Sequence, residues 1–161
     1  DRFWPITTVN GGGKYLSFVN GSNDPMLAPT IRIDAGRFVC QEDPTALGVI
    51  FDLGDVPWST VNEAARVHPQ ARVLLGIELG LDRTKPRNPG DPSPTERFER
   101  AVEGLGKSTW FSGATVELGH LYLARMINNA TSQSDVTVIF RPVDRDANGF
   151  LTIGWRRLEA Q

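Results

Sequence analysis

The chain has 161 residues, enough for one domain and too few for two of ordinary size. Hydrophobic residues make up 40% and charged residues 22%, a balance that supports a packed core and excludes a disordered chain. A net charge of −2 offers a polyanion nothing to hold, which argues against nucleic acid as a partner.

The first apolar stretch, DRFWPITTV, reads as a strand and is broken by NGGGK. YLSFV follows as a short strand and NGSNDP closes it. In TIRIDAGRFVC, Ile31 and Ile33 alternate with Arg32 and Asp34, the period of two that marks a half-buried strand. The run ends near Cys40, the lone cysteine, so no intrachain disulfide or thiolate-built zinc site can form. Its apolar neighbours predict a buried, inert thiol. LGVIFDL is the next strand, ended by GDVP.

Thr60 to His68 reads as a helix, because Thr60 and Glu63 have capping-box spacing. Pro69 is expected to stop it. The segment 71-ARVLLGIELGLDR-83 then alternates regularly. Val73, Leu75, Ile77, Leu79 and Leu81 would form a core face. Leu74, Gly76, Glu78, Gly80 and Asp82 would form a smooth face open to a ligand or another backbone. TKPRNPGDPSP, rich in proline, predicts an exposed loop. Ser93-Pro94-Thr95-Glu96 gives a second capping box with Pro at the first helical position. Phe98, Ala101, Val102 and Leu105 supply the stripe of a short helix that Gly104 and Gly106 end.

TVELGHLYLARMIN is apolar on both faces in its second half, as a strand buried on both sides or a buried helix would be. The strand is the preferred reading. The chain closes on a hairpin in which Val136, Val138 and Phe140 answer Leu151, Ile153 and Trp155. These elements predict a single mainly β domain over 1–161, an antiparallel sandwich or jelly roll of about eight strands with two short helices.

Few residues suggest chemistry. The hairpin tip 144-DRDANG-149 places Asp144, Asp146 and Asn148 at alternate positions before a glycine, as the first half of a calcium loop does. Trp155 stands where a helical calcium loop needs its bidentate Glu, and the flanks are strand-like. The plainer reading is a turn in which Asn148-Gly149 supplies positive φ and the aspartates solvate the tip. Calcium is therefore the only cofactor the sequence suggests. Trp58 and Trp110 flank turns, where exposed rings can stack on a pyranose. The plainer reading of each is a cover over a core edge. Trp155, in mid-strand, reads as core.

Glu78 and Asp82 would share the open face of their strand as ligand-binding acids. Four residues at about 3.3 Å each puts their backbones roughly 13 Å apart, too far for a glycosidase pair by themselves. His68 sits at a helix end, and His120 reads as a satisfied core histidine. Gly11-Gly12-Gly13-Lys14 lacks the spacing of a phosphate loop.

No apolar run approaches the ~20 residues of a membrane-spanning helix. No signal peptide is visible, and a start at Asp1 suggests a chain processed from a longer one. The expected function is a non-catalytic binding module, with carbohydrate as its ligand. One alternative is a viral or phage capsid, decoration or fibre domain that pairs with copies of itself as a homo-oligomer. The other is a small hydrolase or isomerase using Glu78, Asp82 or His120. The first two place the protein outside the cell or on a virion.

Overall fold

The computed structural model describes residues 6–9, 15–18, 30–40, 46–58, 61–80, 88–109, 112–128 and 134–158. Among them are nine strands and three helices. The strands are β1 (Ile6–Val9), β2 (Tyr15–Ser17), β3 (Thr30–Asp34), β4 (Arg37–Cys40), β5 (Ala46–Gly54), β6 (Gly113–Thr115), β7 (Leu121–Asn128), β8 (Ser134–Arg145) and β9 (Leu151–Leu158). The helices are α1 (Val61–Val67), α2 (Pro69–Leu75) and α3 (Pro94–Gly104). The protein is mainly β, with two antiparallel sheets. The larger runs β1-β9-β8-β7-β5 and the smaller β2-β3-β4-β6.

Alternation along the strands decides which face each side chain joins. Ile50, Tyr122, Ala124, Met126, Val138, Phe140, Ile153 and Trp155 of the larger sheet pack with Leu16, Ile31, Ile33, Phe38 and Cys40 of the smaller one. Phe140 lies at the centre of this layer, with ring centroids 5.0 Å from Phe38, 5.2 Å from Tyr122 and 5.5 Å from Phe18. The opposite face of the larger sheet carries Leu47, Val49, Phe51, Leu121, Leu123, Ile127 and Ile139. Ala65, Ala71, Leu74, Phe98 and Val102 of the three helices cover it. Both faces of β7 are thus buried, which is why its sequence is apolar on both sides.

One close approach ties the two sheets together. A methyl group on Gly48 of β5 would fall 2.7 Å from the Cys40 sulfur and 2.8 Å from Met126 Cγ. Only glycine fits there, and the Cys40 thiol is sealed at 1% exposure.

Two elements differ from the sequence expectation. TIRIDAGRFVC is a hairpin rather than one strand, turning at Ala35 (φ 46°) and Gly36 (φ 75°). Both central residues have positive φ, as a two-residue hairpin loop of the I′ kind requires. Residues 71–80 are not a strand, and 81–83 lie outside the described residues. Pro69 begins α2 instead of merely ending α1, because the first turn of a helix has no use for its missing N–H. Ala71 and Leu74 then face the sheet at helical spacing. Gly76 caps the helix, and Asp82 lies outside the described residues.

Other expectations hold. Ser93 Oγ accepts from the Glu96 N–H at 3.1 Å, while Ser93 N–H donates to Glu96 Oε2 at 2.5 Å. That reciprocal pair opens α3, with Pro94 at its first position. α1 also stands where a helix was expected, although Thr60, its expected cap, lies outside the described residues.

The layers are pinned by a buried arginine. Arg125 of β7 is 6% exposed and faces the helices. Its Nε and Nη2 donate to the two carboxylate oxygens of Asp135 at 3.0 and 2.7 Å. Nη1 donates to Leu74 O at 2.5 Å, and Nη2 also reaches Ile77 O at 2.9 Å. These two carbonyls lie at or just past the end of α2, where Leu74 O otherwise accepts a long backbone bond from the Ile77 N–H at 3.5 Å.

Candidate functional site

Polar chemistry gathers at one end of the larger sheet. Asp52, Tyr122, Phe140 and Trp155 form one row across β5, β7, β8 and β9. The next row holds the Gly54–Leu121 and Arg141–Gly154 pairs. A bulge between Asp52 and Gly54 bends the end of β5, and Gly54 takes the positive φ that the bend needs (81°). The Gly54 N–H donates to Asp52 Oδ1 at 2.8 Å.

Asp52 also holds His120. The imidazole Nδ1 lies 3.1 and 3.0 Å from the two carboxylate oxygens. Each side chain is 34% exposed. A carboxylate can only accept, so Nδ1 carries the proton and Nε2 keeps its lone pair in the neutral ring. His120 is therefore not a core histidine. Residues 117–120 form a turn, with Gly119 at φ 84°, and β7 begins only at Leu121.

Tyr122 fixes this turn from beneath. Its hydroxyl donates to Thr115 O at 2.7 Å and accepts from the Glu117 N–H at 2.8 Å. Burial pushes its pKa up to about 12, the bond from the Glu117 backbone opposes the rise, and the charges of Asp52 and Glu117 add to it.

On the helix side of the same end, Trp58 lies over Arg141 and Gly154. The Arg141 guanidinium carbon is 5.1 Å from the indole centroid. A methyl group on Gly154 would meet the indole ring at 3.2 Å. Trp58 is therefore half-buried against β8 and β9 rather than standing clear as a platform. Trp110 lies outside the described residues. Trp155 is core, edge-on to Phe18 at 5.4 Å. Glu78 is exposed just after α2, so the shared strand face on which it was paired with Asp82 does not exist.

The tip 144–149 closes the β8–β9 hairpin. Asp144, Asp146 and Asn148 are all exposed. Asp146 Oδ1 accepts from the backbone N–H groups of Asn148 and Phe150, each at 2.9 Å, and Gly149 has φ 86°. That is the hydrogen bonding of an Asx-type turn. Among the described residues no three His, Cys, Asp or Glu side chains are grouped to hold a metal ion. Asp146→Ala is expected to cost about 1 kcal/mol, the worth of exposed turn bonds. Urea unfolding with and without chelator checks this, and a larger loss that chelator abolishes would establish a metal loop.

Sequence reasoning missed Asp52 and Arg141. Asp52 had a readable signal, as the one charged residue in the apolar run of β5. Arg141 had none, since a charge beside a proline near a strand end reads as solvated. No protein-family model, curated protein or solved structure matches the chain, so its own residues carry the functional reading.

Proposed function

We propose that the chain is a non-catalytic binding module of β-sandwich type that takes carbohydrate at this end of the larger sheet. The supporting observation is the Asp52–His120 pair. It presents directional, part-exposed hydrogen-bonding groups: Asp52 on β5, held by the Gly54 N–H, and His120 on the turn that leads into β7. Preorganised polar groups of this kind select hydroxyl-rich ligands because little ordering is left to do on binding. Trp58 lies at the same end of the sheet, on its helix-facing side.

A glycan-array screen, run with calcium and again with chelator, tests the reading. Wild-type protein is expected to retain a glycan, and Asp52→Asn with His120→Gln is expected to lose it without loss of fold. Calcium dependence would assign Asp144, Asp146 and Asn148 a part in the site. Absence of binding in both conditions would overturn the reading. Val67 (69% exposed) and Val73 (49%) on the helical layer favour a second reading, a self-associating capsid, decoration or fibre domain. A trimeric or larger mass in light scattering would support it.

A further inference from the structure

Arg125 and Arg141 of the larger sheet both face its helix side, and they differ in one respect. Arg125 uses its Nε–Nη2 edge to grip Asp135 side-on, at 3.0 and 2.7 Å. Arg141 presents the same edge with nothing on it. Its Nε and Nη2 are both buried and neither has a hydrogen-bond partner among the described residues. Trp58 covers the guanidinium face. Burial pushes the Arg141 pKa below its ordinary value, and the negative charge of Asp55 works against that shift. A cationic edge buried without a partner is costly, and an oxyanion is the group that best relieves the cost.

The position of Arg141 adds to this. It pairs with Gly154 of β9 in the row next to Asp52 and Tyr122, at the same end of the sheet but on its opposite, helix-facing side. Gly154 has no side chain, which lets the Trp58 indole lie close over β9 beside Arg141. Arg156 lies two residues further along β9, opposite Ile139, and donates through Nη2 to Asn62 Oδ1 of α1. The helix-facing side of the sheet therefore carries a second cation two rows inward from the first.

We propose that Arg141 binds an oxyanion carried by the ligand, so that the module selects acidic carbohydrates, bearing a uronate carboxylate or a sulfate ester. This rests on the carbohydrate reading above. The experiment separates the two. Binding of a galacturonate oligomer and of the matched neutral galactose oligomer is measured by calorimetry. Melting is followed in sodium sulfate and in glucuronate, with sodium chloride at equal ionic strength as control. Wild type should prefer the acidic oligomer by about tenfold or more, as one charge-assisted pair provides.

Arg141→Met should lose the preference, while Asp55→Asn should strengthen it by removing a competing negative charge. Should Arg141→Met fail to fold, Asp55→Asn still decides: unchanged acidic binding in that variant overturns the proposal. Neutral and acidic oligomers bound equally would overturn it and leave the carbohydrate reading standing. Melting raised by sulfate and glucuronate in wild type but not in Arg141→Met, with neither oligomer bound, would keep the oxyanion site and remove the carbohydrate. No response to any probe would overturn both.

Discussion

Arg125→Met is expected to lower unfolding stability by about 3–5 kcal/mol, the usual result of breaking one side of a buried ion pair. The loss has two sources. Asp135, whose side chain is only 21% exposed, would lose both donors that hold its carboxylate. Leu74 O and Ile77 O, at and just past the end of α2, would lose the donor that satisfies them in the interior. Methionine roughly keeps the volume, so packing changes contribute little. Guanidinium unfolding checks the figure, and Arg125→Met with Asp135→Leu should recover part of it by removing the stranded charge. A single-variant loss below about 1 kcal/mol would mean that the pair is solvated and that α2 is held by Ala71 and Leu74 alone.

Phe140→Ala is expected to cost about 3–5 kcal/mol, as large aromatic truncations in a core do. Its ring meets Phe18, Phe38 and Tyr122 between the sheets, so the cavity would open in the middle of the layer. Phe18 and Phe38 belong to the smaller sheet's side of that layer, and the loss should loosen its hold on the larger one. Phe140→Leu should cost clearly less, because most of the volume remains. Equal losses for the two variants in urea unfolding would show that the site collapses onto the gap and that ring contacts matter little.

These expectations rest on a fold that the sequence disclosed unevenly. The Ser93–Glu96 box located the start of α3 because its two hydrogen bonds are local and need no tertiary partner. The β8–β9 hairpin was legible for the same reason, with Asn148-Gly149 at its tip. The 71–83 segment misled because Leu75 and Leu79 fit both a period of two and a helical period. Pro69 decides between them, and a proline can end one helix or begin the next. The Ala35-Gly36 turn was hidden since Ala is a poor residue for positive φ, and the strands on each side continue one alternation. At the site, His120 was visible but its role was not. Asp52 stands 68 residues away in sequence, and only the pairing of β5 with β7 brings the two together. Arg141 was illegible because an unpaired buried edge depends on what three separate elements do not supply.

The Gly48–Cys40 approach gives the chain an internal clock. With its sulfur pressed between β5 and Met126, Cys40 can meet a thiol reagent only when the sheets part. Labelling by an excess of a small disulfide therefore reports the opening of the inter-sheet layer under native conditions, with no denaturant and no engineered label site. At high reagent the rate equals the opening rate, and at low reagent it scales with the open population. Tertiary rupture between the sheets can thus be timed separately from fraying of the helical layer on the other face.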